Sequence, residues 1–289
     1  MSLVFEMTDV GLMWIYLGLE VEQSDDGIFI SQKGYTKEVL KKFKMHDCNS
    51  FDTPMECGIK LSMFSDGIKE DSTLFKSLMG SLRYLTCTRP DVLFAVDVVN
   101  RYMEAPTSTH MKAAKRILRY LKDSIDFGLF YTSSHNFQLM GYCDSDFAGN
   151  IDDRKNTFGF MFFLGDCCIS WSSKKQPIMT LFTCEIEYVA TTSCTYHVVW
   201  LKRLVKELHL PQEGPTKICI DNKSAQALVK NPVFHDRCKI LTPNIILLEN
   251  ILPRMKWSLS LSKLKIKLQI FLQNPSSLKI SEECVKILM

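Results

Sequence analysis

The feature that most constrains this 289-residue chain is an order of periodicities in its second half. The runs FQLMGYCD, TFGFMFFLG and CCISWSS are short, rich in aromatic and apolar residues, and separated by polar stretches, as strands are. Next comes EIEYVATTSCTYHVVWLKRLVKELHL. Here Ile186, Val189, Ala190, Ser193, His197, Trp200, Leu201, Leu204, Val205 and Leu208 recur with a helical period, and Pro211 and Gly214 close the run. TKICID reads as a fourth strand and NKSAQALVKN as a second, short helix. Three successive strands followed by a helix and another strand predict an antiparallel start continued by a crossover. The fold class is therefore α/β (α+β), a mixed sheet with helices packed on it.

The first half reads differently. WIYLGLEVEQ (14–23) and GIFISQ (27–32) alternate apolar and polar residues around Ser24-Asp25-Asp26-Gly27, which predicts a hairpin. GYTKEVLKKFKM (34–45), with Val39, Leu40 and Phe43, predicts a short amphipathic helix. Between Ser72 and Ser124 three helices are expected, with Pro90 in the first turn of the second and a Thr-Ser-Thr cap after Pro106. The third helix spaces Lys112, Lys115, Arg116, Arg119 and Lys122 three or four apart. Such a stripe is either a phosphate-contacting face or a solvated one.

A net charge of +3, with 46% hydrophobic and 23% charged residues, describes an ordinary globular chain, and 289 residues suit about two domains. The eleven cysteines contain no Cys-x-x-Cys spacing, so neither a zinc site nor a disulfide partner is expected, and free thiols in a reducing compartment fit better. The start MSLVFEMTDVGL lacks the basic and long apolar regions of a signal peptide. The most apolar run, FGFMFFLG (158–165), is too short to span a membrane.

Three acidic positions fall at special places in the predicted order. Asp144 or Asp146 ends the first strand of the mixed sheet, Glu185 or Glu187 lies in the first turns of the long helix, and Asp221 ends the fourth strand. Singly they read as a turn pair, helix N-terminal charges and a helix cap. Together they converge on one sheet end, where clustered carboxylates need a cation to neutralise them. Two bridged Mg²⁺ ions are the usual solution in nucleases.

The same residues carry a resemblance. GYCDSDFAGNIDDRKNTFGFMFFLGDCCISWSSKKQP, TCEIEYVA and CIDNKSAQALVKNPVFHDR resemble the ribonuclease H domain of copia-type retrotransposon polyproteins. FEMTDVGLMWIYLGLEVEQSDDGIFISQKGYTKEVLKKF, DTPMECGIKLS and SLMGSLRYLTCTRPDVLFAV resemble the stretch of that polyprotein between the polymerase active site and ribonuclease H. The likeness runs through residues 4–239. It implies a ribonuclease H-like sheet and hydrolysis of the RNA strand of an RNA–DNA hybrid. Its metal ligands would be Asp144 (Asp146 as fallback), Glu187 in Glu-Tyr-x-Ala and Asp221 in Asp-Asn-x-Ser-Ala, holding two Mg²⁺ ions. It also implies an intracellular setting, whether cytoplasm, virus-like particle or nucleus. The chain departs from the family pattern at Phe147, Asn150, Phe158 and Ile186; Phe158 and Ile186 are bulkier than the usual residues and lie near the proposed carboxylates. The polymerase motif Tyr-Val-Asp-Asp is absent.

After Lys239 the resemblance stops. Admissible codons for Ile240–Asn244, read with a C placed in front, spell His-Ile-Asp-Thr-Lys. Codons for Lys265–Pro275, shifted in the same phase, spell Glu-Asp-Gln-Val-Ala-Asp-Ile-Phe-Thr-Lys-Pro. Both are family continuations, and the second carries the fourth metal-ligating aspartate, here split across the codons of Gln269 and Ile270. The expected organisation is a reverse transcriptase C-terminal segment (1–135), a C-terminally truncated ribonuclease H-like domain (136–239) and a frameshifted, poorly ordered tail (240–289). The expected function is a polyprotein remnant with little or no hydrolysis. The alternatives are a non-enzymatic hybrid-binding module, supported by the basic helix, and a non-functional pseudogene product.

Overall fold

The computed structural model describes residues 11–56, 58–64, 67–133, 137–146, 151–176, 183–212, 214, 216–220 and 257–258. The expected hairpin is β2 (Leu19–Ser24) against β3 (Gly27–Ser31), in the register Ser24↔Gly27 to Glu20↔Ser31. Gly27 adopts φ +150, and a Cβ there would collide with the Tyr131 carbonyl of the next strand, so the turn glycine is required. Two strands were not expected. β1 (Ile15–Tyr16) folds back on β2, and β4 (Gly128–Thr132) pairs with β3, giving an antiparallel sheet in the order β1-β2-β3-β4. A two-residue strand has no period to read, and GLFYT is too short to tell strand from helix end.

Four helices cover this half: α1 (Lys33–Lys42), α2 (Ser72–Leu85), α3 (Leu93–Asn100), which a 3₁₀ turn at Pro90–Val92 introduces, and α4 (Ser108–Asp123). Asp71 caps α2 by accepting from the Thr73 amide at 2.8 Å, and Thr107 with His110 forms a capping box on α4. Phe75, Leu78, Leu82, Val96, Ile117 and Leu118 meet in one apolar core. Arg89 crosses it: the side chain is 2% exposed, pairs with Asp91 at 2.7 Å and donates to the Ser124 carbonyl at 2.8 Å. Its guanidinium carbon lies 5.6 Å from the centre of the Tyr120 ring and 5.4 Å from that of Phe127.

The second half contains the predicted mixed sheet. Its strands are β5 (Leu139–Asp146), β6 (Thr157–Leu164), β7 (Cys167–Lys175), β8 (Lys217–Ile220) and β9 (Trp257–Ser258), in the order β7-β6-β5-β8-β9. β5–β6 and β6–β7 are antiparallel, whereas β5–β8 and β8–β9 are parallel. α5 (Thr183–Glu207) provides the crossover and packs on β5 and β6. Its buried stripe differs from the expected one. Ile186, Ala190, Cys194, Val198, Leu201 and Val205 are buried, while Trp200, Leu204 and Leu208 are 54%, 43% and 61% exposed. An apolar stripe wider than the contact leaves one flank in water, and only the neighbouring sheet decides which. Ile186 and Phe158, bulky where the family pattern is small, are both accommodated in buried positions.

Trp257–Ser258, inside the stretch expected to be poorly ordered, pairs with β8 through Ile218↔Trp257 and Cys219↔Ser258. An open parallel edge accepts an extended segment whatever its ancestry. The rest of the tail, Asp221 and the expected helix NKSAQALVKN lie outside the described residues.

The halves touch. Trp171 Nε1 donates to the Thr86 carbonyl at 2.9 Å, and Arg101 Nη2 donates to Thr157 Oγ1 at 2.8 Å. Among the described residues no helix is long and apolar enough to cross a membrane.

Candidate active site at the strand ends

β5 lies between β6 and β8, so its last residues sit at the middle of the sheet's edge. Asp144 pairs with Gly159 and Asp146 with Thr157, and Thr157 pairs in turn with Lys175 at the end of β7. Gln176 follows. Its amide donates to the Asn156 carbonyl at 2.8 Å, and its fully buried side chain donates from Nε2 to the Ile186 carbonyl at 3.1 Å. This bond ties the first turns of α5 to the sheet end that bears Asp144. Sequence reasoning missed Gln176, because one polar residue between a strand and a proline has no periodic signature.

Helix geometry separates the two glutamates. At 100° per residue, position 187 shares a face with buried Thr191, Cys194 and Val198, which turn toward the sheet. Position 185 shares a face with exposed Tyr196 and Arg203. The backbone thus favours position 187 as the one facing the strand ends; the side chains of both glutamates lie outside the described residues.

The aspartates are separated by register. Asp144 and Asp146 fall on one face of β5, so alternation does not distinguish them. The parallel ladder with β8 runs from Met140↔Lys217 to Cys143↔Ile220. The next residue of β5 is Asp144, and the next residue of the chain after β8 is Asp221. Asp144 is exposed, its carboxylate accepts from the Ser145 amide at 2.8 Å, and it lines a cavity of about 210 Å³ together with Tyr142, Phe94 and Trp171. Among the described residues no three His, Cys, Asp or Glu side chains form a group that could hold a metal. The register therefore places Asp144 beside the end of β8 at one sheet edge, on the face that bears Tyr142 and opposite the face on which α5 packs.

The basic stripe of α4 divides. Arg116 donates to Thr53 Oγ1 at 2.9 Å and lies over Phe51 at 4.3 Å; Arg119 lies over the same ring at 4.6 Å; Lys122 donates to the Cys48 carbonyl at 2.7 Å. These three hold the chain's own 48–53 loop against α4. Only Lys112 and Lys115 of the stripe are exposed. Three of the five cations thus have partners within the protein.

A short antiparallel sheet with helices, joined to a mixed sheet with an acidic strand end, defines the class: an α/β protein with an acidic corner. The family description "Reverse transcriptase (RNA-dependent DNA polymerase)" matches residues 1–57. The Retrovirus-related Pol polyprotein from transposon RE2 of Arabidopsis thaliana is 38% identical over 224 residues, covering 78% of this chain and 15% of the relative. The polyprotein from transposon TNT 1-94 of Nicotiana tabacum is 38% identical over 248 residues, covering 83% and 18%. An uncharacterised mitochondrial protein of Arabidopsis thaliana is 36% identical over 200 residues, covering 69% of this chain and 83% of that protein. The chain belongs to the copia-type retrotransposon Pol polyprotein family. It spans 15–18% of the length of the transposon polyproteins it matches. Among solved structures, a foamy viral protease–reverse transcriptase in complex with RNA/DNA hybrid is similar over 85% of this chain and 28% of its own, at 13% identity and a TM-score of 0.43. LC11 ribonuclease H1 in complex with RNA/DNA hybrid is similar over 47% of this chain and 94% of its own, at 12% identity and a TM-score of 0.31.

Proposed function

We propose that residues 136–239 are a ribonuclease H-like domain descended from a hydrolase of the RNA strand in RNA–DNA hybrids. Residues 1–135 are the reverse transcriptase segment that precedes it. Asp144, Glu187 and Asp221 are the metal-ligating carboxylates. The observation that carries this reading is the sheet end: a buried Gln176 side chain ties the start of α5 to the strand end bearing Asp144, and the β5–β8 ladder stops one residue short of both aspartates. An exposed carboxylate at a central strand end is the hard oxygen donor that Mg²⁺ prefers. When bound, a Mg²⁺ pair supplies an activated water and stabilises the leaving oxygen of a phosphodiester. The chain's own part is positioning: β5 holds Asp144 rigidly, and Gln176 fixes the helix that carries Glu187. Selection of RNA over DNA rests on the 2′-hydroxyl.

The fourth aspartate of the family survives only in the shifted frame, across the codons of Gln269 and Ile270. Three carboxylates hold a metal pair less well than four, so hydrolysis is lost or nearly so. The test uses labelled RNA–DNA hybrid and Mg²⁺. The chain as it stands is expected to leave the hybrid intact, and a version with the reading frame restored after codon 239 is expected to cleave it, with Asp144→Asn abolishing cleavage. Cleavage by the unrestored chain that Asp144→Asn removes would overturn the inactive reading. Cleavage by the restored chain that survives Asp144→Asn would overturn the site.

A further inference from the structure

A cavity of about 420 Å³ opens between α5 and strands β6 and β7, on the sheet face that packs against α5. It is lined by Phe160, Tyr196, His197 and Trp200, with Lys174 and Lys175 at its rim. Tyr196 and Trp200 are 46% and 54% exposed, unusual for two large rings one helical turn apart. His197 sits between them and the sheet. Its Nε2 lies 2.9 Å from Ser170 Oγ, and its ring centre is 4.9 Å from Phe160, 5.2 Å from Phe162 and 5.3 Å from Trp200. The cavity floor is thus a set of packed rings with two more rings standing free beside it. Burial, with the nearby charge of Lys174, holds the His197 imidazole below its usual range, so the floor is neutral near pH 7.

The rim adds charge. Lys174 lies opposite Phe158 in the β6–β7 ladder and so projects on the same face as the rings. It is exposed and makes no ion pair among the described residues. Lys175 is held by Asp153 at 2.7 Å. Exposed rings beside an unneutralised lysine suit a ligand with a flat π-face and an anionic backbone. A paired duplex buries its base faces in its own stack; an unpaired strand offers them. We infer that this cavity is a stacking site for single-stranded nucleic acid, with bases on Trp200 and Tyr196 and a phosphate near Lys174. It is built without the carboxylates of the proposed active site and is independent of metal.

The experiment uses the full chain in EDTA and a fluorescein-labelled oligothymidylate of about ten nucleotides, within the usual span of such sites. Anisotropy is expected to show salt-dependent binding. Trp200→Ala and Tyr196→Ala should each weaken it about tenfold, Trp200→Phe should restore most of it, and Lys174→Ala should flatten its salt dependence. Lys76→Ala, an exposed cation on α2, should leave it unchanged. No binding by the parent chain overturns the inference, and so does equal binding by the Trp200→Ala, Tyr196→Ala double variant. Tighter binding of an RNA–DNA hybrid duplex that is equally sensitive to Trp200→Ala would also overturn it, by making the cavity part of a duplex surface. Since EDTA removes Mg²⁺, failure here says nothing about hydrolysis, and failure of the hydrolysis test says nothing about this site.

Discussion

The two halves of the molecule treat charge in opposite ways. In the helical half Arg89 is sealed in the core, and its charge is used up internally by Asp91, the Ser124 carbonyl and two aromatic rings. Burial alone would make that guanidinium easier to deprotonate, but Asp91 and Tyr120 beside it together raise its pKa. In the mixed-sheet half Asp144 is held by a central strand with its carboxylate exposed and accepting from the Ser145 amide. The first arrangement seals a charge inside the fold, and the second leaves a carboxylate at the surface. α4 follows the first pattern too: a stripe that resembles a nucleic-acid face spends three of its five cations on its own loop.

The sharpest way to break this contrast is to exchange the two charges for neutral groups. Arg89→Ala strands Asp91 in a half-finished pair and should destabilise the chain by about 3–5 kcal/mol in urea unfolding. Asp144→Asn, in an exposed position, should stay within about 0.5 kcal/mol of the parent. Equal losses would show that the strand-end carboxylate is structural. Next in size, Phe75→Ala and Phe162→Ala each empty a fully buried site, one in each half, at about 3–5 kcal/mol apiece. They share no cluster, so their double variant should be additive to within about 0.5 kcal/mol, unless the contacts at Trp171 and Arg101 couple the halves. Arg116→Ala, losing a hydrogen bond and a ring contact, should cost about 1–2 kcal/mol, while Lys115→Ala should be close to neutral.

The smallest effect is a pH dependence that both halves share. Burial lowers the pKa of His110 on α4, opposed in part by its bond to the Ser62 carbonyl, and burial with Lys174 lowers that of His197 on α5. A histidine whose folded pKa lies below the unfolded one contributes no pH-dependent loss while both states are neutral. As pH falls through about 6.5 the unfolded chain takes up the proton first, so stability declines until the folded pKa is passed. Unfolding midpoints measured from pH 7.5 to 5 should therefore fall on the acid side. Substituting either histidine with Gln should flatten part of that decline; a flat profile in the parent would contradict both burials.

Much of this was legible in the residues. The hairpin around Gly27, the helices at α1 to α4 and the strands of β5 to β8 follow from period, turn chemistry and caps, all local signals. The copia-type family is legible in long runs of motif, and the register of β8 sets Asp144 beside the end of that strand. Less was legible wherever the deciding contact is distant in sequence. β4 had no partner until β3 was known, and Trp200 sat on an apolar stripe that the sheet covers only in part. That Arg116, Arg119 and Lys122 pack on Phe51, Thr53 and Cys48 was not legible either, because those partners lie some seventy residues earlier in the chain.

By itself the sequence determined most of the kinds of element, their order and which carboxylates stand at element ends, because backbone preference and hydrophobic period act over a few neighbouring residues. Only the tertiary structure decided which charges are buried against partners and which stay at the surface. That depends on which groups from remote parts of the chain arrive within hydrogen-bonding distance, and no local period records such an arrival.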